Sequence, residues 1–411
     1  MHLAILDKTL KILEQPTCDH CLGRQFGQLL TGTTNAQRGS LLRTLAAMSI
    51  DVADYPGGAD FSNFASHRFH HVELKKKPQR TTCSVCDDLF TRLERFVPKM
   101  QRAAKRQEFQ TFLVGTKLSS ELLTKEEALW ERVGIEWCEP IKAELNREFG
   151  KLVEKNMNKR ADTTKPNVCF LVNLTNERVS LNVQPLFIYG RYQKLVRGIP
   201  QTKWPSGKYK TSVEQIVAKP YMAATKGRDH KFHGAGREDV DARCLAWRPF
   251  VLEIIEPRRR SIELKKLAKR IGKQVRIKDV RLSDIGEVRL LKERAQNKTY
   301  RVTVRCSSAV TQADLKKLAA LVGPIDQQTP VRVLHRRADR LRKKRVLALR
   351  ARLKSSRAFE LIVTCSAGLY VKELVGGDEG RTRPNVAAIL NATCTPHDLD
   401  VIGIDEKNME R

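Results

Sequence analysis

The sequence lacks most of the segments from which a function is commonly read. No apolar run approaches the ~18 residues that a membrane span requires, so an integral membrane protein is not expected. The N-terminus has no secretory core, because Leu3, Leu6, Leu10 and Leu13 recur at helical spacing and Asp7 and Lys8 interrupt them. A cytoplasmic location is the resulting expectation. Ten cysteines in 411 residues are too few and too scattered for a disulfide scaffold. No segment repeats at a period of roughly 20–50 residues. There is no strand–GxGxxG–helix unit and no HExxH pair. The stretch from Gly376 to Thr382 is only superficially like a phosphate loop: it is one residue short, has no lysine, and carries Asp378 and Glu379 where a phosphate would lie. No nucleotide, dinucleotide or catalytic-metal site is therefore expected.

What the chain does have is positive charge. Its 76 Lys+Arg against 46 Asp+Glu give a net charge of +30, while a hydrophobic content of 41% is that of a folded protein. At roughly 150 residues per domain, the length predicts two or three domains. An excess of cations concentrates polyanions, nucleic acid above all; a basic proteome or a solubility device is the alternative source of the same charge.

Four of the cysteines form two pairs, Cys18-x-x-Cys21 and Cys83-x-x-Cys86, with 61 residues between them. Each Cys-x-x-Cys turn brings two thiolates to one side, and two such turns complete a tetrahedral zinc site. With four protein ligands such a zinc is structural, since no position remains open for catalysis. Two unrelated thiol pairs, or redox chemistry, are the other readings. The remaining six cysteines lie singly, mostly in apolar stretches, as small core residues do.

Along the chain, Phe109–Val114 and Val168–Leu174 read as strands. Ser119 and Ser120 open a helix through Trp130, and Ile141, Leu145, Phe149 and Val153 form an apolar stripe at helical spacing. From 179 onward, short strands (Ser180–Val183, Phe250–Ile255, Tyr300–Val304, Phe359–Cys365) alternate with basic helical segments such as Ile262–Ile271. The densest basic stretch, Arg332–Arg357, holds twelve Lys/Arg and one acid, Asp339. It is expected to project as an arm with helical content that contacts nucleic acid; a solvated helix face is the alternative.

The segment with most chemistry is Gly236-Arg237-Glu238-Asp239-Val240-Asp241-Ala242-Arg243, followed by the strand Arg248-Pro249-Phe250-Val251-Leu252-Glu253-Ile254. Glycine allows close approach of a ligand, and a carboxylate flanked by guanidinium groups stays ionised as a nucleophile or base. A surface ion-pair cluster has the same composition.

This segment resembles the active-site motif of the archaeal and eukaryotic tRNA pseudouridine synthases of the TΨC loop, the family that joins a zinc-bearing region and a THUMP domain to the synthase fold. Further stretches resemble that family in the same order: Gly115-Thr116-Lys117-Leu118 with Glu139–Glu148, then Lys298-Thr299-Tyr300-Arg301, then Tyr370-Val371-Lys372-Glu373-Leu374 with Gly377–Thr382 and Pro384. The chain departs from the family at Ala246-Trp247, where a Gly-x-Gly step is usual, at Gly376 in place of His, and at Asn385 in place of Ser.

The resemblance implies an α+β fold: a zinc-bearing N-terminal region (1–96), a THUMP-like RNA-binding module (97–178) and a pseudouridine synthase domain (179–411) with a mixed, mainly antiparallel sheet. It implies an isomerase that converts uridine to pseudouridine in the TΨC arm of tRNA, at the uridine that gives the loop its Ψ and at the uridine just before it. Asp239 would be the catalytic aspartate. Tyr300 would stack on the target base, Lys372 would pair with the aspartate, Val371 and Leu399 would wall the pocket, and Arg237 would hold the flipped nucleotide. Arg332, Arg336, Arg337, Arg340, Lys343, Lys344 and Arg381 would contact RNA. Cys18, Cys21, Cys83 and Cys86 would hold structural zinc, with no organic cofactor and no obligate protein partner. The competing reading is a non-catalytic RNA-binding protein that keeps the fold. Thiouridine synthases and methyltransferases with THUMP domains need an ATP-pyrophosphatase loop or an S-adenosylmethionine turn, and neither is present.

Overall fold

The computed structural model describes residues 3–52, 57–293 and 295–405. The chain divides between Gln184 and Pro185 into two compact units. Among the described residues, no helix is long and apolar enough to cross a membrane.

The first unit is built on a four-stranded sheet of β1 (Thr111–Lys117), β2 (Arg160–Ala161), β3 (Val168–Asn173) and β4 (Arg178–Val183), in the order β2-β1-β3-β4. Local signals set its helices. Thr34 and Gln37 form a capping box at the start of Asn35–Asp51. The Ser119 hydroxyl accepts the Leu122 amide at 3.3 Å and so begins the helix Ser120–Val133. In the helix Ile141–Met157, Ile141, Leu145, Phe149 and Val153 share one face, and all four are buried against the same core as Phe112 and Phe170. That core also includes Cys21, Cys83 and Cys86, so the cysteine-bearing residues and the strands of the THUMP-like module form one body. Ser180–Val183, expected to open the catalytic domain, instead pairs with β3 and completes this sheet.

The second unit is one ten-stranded sheet. Its strands are β5 (Leu186–Lys194), β6 (Asp229–Gly234), β7 (Arg243–Ile255), β8 (Val275–Ser283), β9 (Lys298–Cys306), β10 (Gly323–Gln327), β11 (Arg342–Ser355), β12 (Ala358–Cys365), β13 (Thr382–Arg383) and β14 (Cys394–Ile404). They run in the order β13-β10-β11-β12-β9-β14-β7-β5-β8, with β6 also paired to β7. Among the described residues only β7 and β14 pair in parallel here, so the sheet is mixed and mainly antiparallel, as expected. This seam joins two halves with separate cores. One core lies under β9 to β12 and the helix Val371–Gly376, the other under β5, β7 and the helix Val213–Thr225.

The basic stretch Arg332–Arg357 is not a helical arm. A short 3-10 turn, Val331–Arg336, leads into β11, which is paired on both sides within the sheet. Its sequence alternates, and the burial follows: Leu349, Ala351 and Leu353 turn inward, while Arg350, Arg352 and Lys354 face solvent. A β-bulge between Val346 and Ala348 shifts the register by one, so the exposed cations change from Lys343 and Arg345 to Arg350 and Arg352 without leaving the outer face. The apolar partners of this strand lie across the sheet, which is why a local reading of so many helix-compatible Lys and Arg residues missed it. Ile262–Ile271 likewise forms only the short helix Leu264–Ala268.

Candidate active site

Residues 235–242 connect β6 to β7 as a loop held from beneath by buried polar groups. Lys194 Nζ, fully buried, donates to the carbonyls of Ile199 and Asp239 at 3.0 Å and of Val240 at 3.2 Å. Gln201 Nε2 donates to the Gly236 carbonyl and Arg248 Nη1 to the Ala235 carbonyl, each at 2.8 Å. Glu238 points inward, where its carboxylate accepts the Tyr192 hydroxyl at 2.9 Å and pairs with Arg248 Nε at 3.2 Å. With Glu238 held below the loop, the neighbouring Asp239 reaches the cations Arg332 and Lys372. Gly236, at φ +78°, supplies the left-handed turn this geometry needs.

Asp239 opens into a cavity of about 280 Å³ that it shares with Tyr300, Leu369, Val371, Lys372 and Leu399. Tyr300 comes from β9, Leu399 from β14, and Val371 and Lys372 from the helix that follows Tyr370. The register Tyr300 opposite Val401 and Val302 opposite Leu399 places these strands side by side. Burial pushes the Tyr300 phenol well above its ordinary pKa, so it remains protonated at neutral pH. A more open hollow of about 450 Å³, with Trp204 and Tyr209 on its wall, shares Arg237, Asp239, Arg332 and Lys372 with the first.

The ion pairs differ from the simple aspartate–lysine pair of the sequence reading. Lys372 Nζ lies 3.5 Å from Asp239 but donates to both oxygens of Asp241, at 2.8 and 2.7 Å. Burial raises the Asp241 carboxyl, and the Lys372 ammonium outweighs it and holds it below the usual carboxylate range. Asp239 has a second cation: Arg332 Nη2 stands 3.2 Å from it while Arg332 Nε holds Glu373 at 2.6 Å. The sequence expects Arg332 among the RNA contacts of a projecting arm; its partners Asp239 and Glu373 lie far away in sequence, and no local signal marks them. Arg337 Nη1 donates to the Tyr370 hydroxyl at 3.1 Å, and Arg237 stands over the Trp204 ring at 5.9 Å. Arg381 pairs with Asp339 at 2.5 Å and donates to the Thr329 carbonyl, so it ties the loop before β11 to the turn before β13. Arg340 and Lys343 are exposed, Lys344 donates to the Ala367 carbonyl at 2.8 Å, and the Arg336 side chain lies outside the described residues.

The three departures from the family pattern are each accommodated. Asn385 Oδ1 accepts the Ala388 amide at 2.8 Å and caps Val386–Leu390, the role a serine would fill. Trp247 lies on β7 under the Lys278 ammonium at 4.8 Å. A side chain at Gly376 would make only ordinary contact, 3.5 Å from the Cys394 carbonyl.

In the first unit, the sulfur atoms of Cys18, Cys21, Cys83 and Cys86 all lie within 4.8 Å of one another, with Cys18 and Cys86 at 3.6 Å. Four sulfurs at 2.3 Å around a tetrahedral zinc stand about 3.8 Å apart, so the cluster fits a metal ion of that size and softness. It is the only such group among the described residues. Arg24, fully buried, approaches Cys21 Sγ at 3.8 Å and pairs with Glu126, a cation suited to neighbouring thiolates.

A loop aspartate turned out of a buried network, a partly buried tyrosine and an apolar-walled cavity on a mixed sheet fit a pseudouridine synthase, a class of isomerase, here joined to a THUMP domain. Residues 187–405 match the family model described as Pus10, C-terminal, and residues 96–173 match that of the archaeal Pus10 THUMP domain. The tRNA pseudouridine synthase Pus10 of Methanothrix thermoacetophila is 38% identical over 95% of this chain and 92% of its own length. Those of Methanocaldococcus jannaschii (38%, covering 96% and 93%) and Methanothermobacter marburgensis (39%, covering 98% and 98%) are similarly close. A chain of the solved Cbf5-Nop10-Gar1 complex overlaps 51% of this chain and 47% of its own at 14% identity and a TM-score of 0.32, too distant a likeness to carry an argument. The chain belongs to the Pus10 family.

Proposed function

We propose that the protein isomerises uridine to pseudouridine in the TΨC arm of tRNA, at the loop's Ψ position and at the uridine just before it, with Asp239 as the catalytic carboxylate. The observation that carries this reading is Asp239 itself, turned out of a buried network toward Arg332 and Lys372 in the cavity that also holds Tyr300 and Leu399. The reaction breaks the C1′–N1 bond, turns the base and rejoins it through C5, and so consumes neither nucleotide nor reductant. A base stacked inside a folded loop must be flipped out first, at a cost of a few kcal/mol that contacts to the RNA backbone offset. Asp239 then assists detachment, by attack at the sugar or by removing a sugar proton; Lys372 and Arg332 hold it aimed. Tyr300 stacks on the uracil, Val371 and Leu399 exclude water, and Arg237 holds the flipped nucleotide. The exposed cations of β11, with Arg337 and Arg340, grip the RNA.

The cysteine cluster holds structural zinc through Cys18, Cys21, Cys83 and Cys86, closed by its four ligands to any catalytic part. The cytoplasm is the compartment consistent with this work. The test is incubation with an unmodified tRNA transcript, without cofactor, followed by carbodiimide–primer extension mapping. Product in the TΨC loop supports the assignment and shows whether one uridine or both react. Tight tRNA binding with no product anywhere would instead favour the non-catalytic reading.

A further inference from the structure

The cavity contains one cation with no part in the chemistry above. Lys298 opens β9 two residues before Tyr300, so both side chains lie on one side of the strand, and both line the cavity. Its ammonium lies against the catalytic loop: a Cβ placed on Gly236 would stand 3.3 Å from Lys298 Nζ and 3.2 Å from Arg248 Nη1. Three neighbouring cations have carboxylate partners, while Arg337 donates to the Tyr370 hydroxyl and Arg237 stands over the Trp204 ring. Arg248 has Glu238, Lys372 has Asp241, and Arg332 has Glu373 and Asp239. Lys298 donates one long hydrogen bond, 3.4 Å, to the Gln296 carbonyl, and among the described residues no carboxylate pairs with it.

An ammonium in this position is held at a disadvantage. Burial lowers its pKa and the neighbouring Arg248 lowers it further, to about 8. The other groups facing it are the thiols of Cys244 on β7 and Cys365 on β12, with the Tyr300 phenol beside it; Asp239, Lys372 and Arg337 stand elsewhere around the same cavity. A half-buried cation without a carboxylate partner is at a disadvantage until an anion or a strong acceptor arrives.

We propose that Lys298 is a catalytic residue that donates a hydrogen bond to a carbonyl oxygen of the flipped uracil and stabilises the uracilate formed when the glycosidic bond breaks. The proposal rests on the pseudouridine synthase reading of this cavity. When C1′–N1 breaks, the electron pair stays with the base, and the negative charge spreads onto its carbonyl oxygens. When C5 attacks C1′, that charge is spent in the new C–C bond; the C5 proton then leaves and N1 takes one up, so no electron is gained or lost overall. A cation fixed beforehand at the charged edge lowers the barrier to detachment without tightening the resting complex.

The test compares wild type, Lys298→Met and Lys298→Arg in single-turnover pseudouridine formation, with tRNA affinity measured separately. The Met variant is expected to lose about 10²-fold in rate or more, while its tRNA Kd stays within about threefold of wild type. Wild type is expected to lose rate as pH rises past about 8. In the Arg variant, whose guanidinium stays charged, that alkaline limb moves upward. A Met variant that turns over at the wild-type rate overturns the proposal, and so does an alkaline limb shared by wild type and the Arg variant. If the Met substitution unfolds the protein, the limb of the Arg variant decides alone. Failure of wild type itself to form pseudouridine would instead sink the functional reading, and the role of Lys298 with it.

Discussion

Glu238 and Asp239 are neighbours with opposite duties. Glu238 is sealed beneath the loop, where it balances Arg248, itself fully buried. Removing one partner of a buried pair leaves an uncompensated charge, so Glu238→Ala should destabilise the second unit by about 3–5 kcal/mol, read from urea midpoints. A loss comparable to a surface substitution would show that the pair is not what holds the loop. Asp400, beside Leu399, gathers Arg197 at 2.6 Å, Arg243 at 2.7 Å and Arg301 at 3.3 Å. Burial raises its carboxyl, but the guanidinium groups outweigh burial and hold it below the ordinary range. An unfolded aspartate titrates near ~3.9. The stabilisation is therefore complete above that value and is lost as pH falls through the lower folded value. Asp400→Asn should flatten the acid limb of stability against pH, measured by urea denaturation; an unchanged limb would assign the acid sensitivity to other groups.

At the level of elements, β11 presents Lys343, Arg345, Arg350 and Arg352 on one exposed face. Changing all four to Gln should weaken tRNA binding and reduce the slope of log K against log salt by about 3 if each contacts a phosphate, since each phosphate contact contributes roughly 0.7–0.9. An unchanged slope would leave these cations as a merely solvated face. Where partners lie nearby in the chain, sequence reading served well. Ser119 marked its helix, the stripe from Ile141 to Val153 marked another, and Phe359–Cys365 falls within β12. It failed where pairing is distant. Ser180–Val183 was assigned to the wrong side of the boundary because only its pairing with β3 reveals its sheet. The twelve cations of Arg332–Arg357 hid an alternation that only β10 and β12 make meaningful. The motif residues Asp239, Tyr300, Lys372 and Leu399 were named from the sequence and meet in one cavity. Arg332 as the second cation on Asp239, and Asp241 as the closer partner of Lys372, required the fold.

On the scale of the whole molecule, the two units have separate cores, and the cysteine cluster belongs to the first alone. About one zinc per chain is expected by elemental analysis, and Cys83→Ser should release it. Because metal-binding energy is folding energy in such sites, stripping the metal should open residues 1–184 to proteolysis while 185–411 stays resistant. Equal resistance of both units after metal loss would contradict the structural role. The catalytic claim lies wholly in the second unit and rests on the Asp239 carboxylate. The most direct measurement is the single-turnover rate of pseudouridine formation by Asp239→Asn, which keeps shape and removes charge, alongside its tRNA affinity. Loss of all detectable product with affinity unchanged is the predicted result; product formed at a wild-type rate would contradict the assignment.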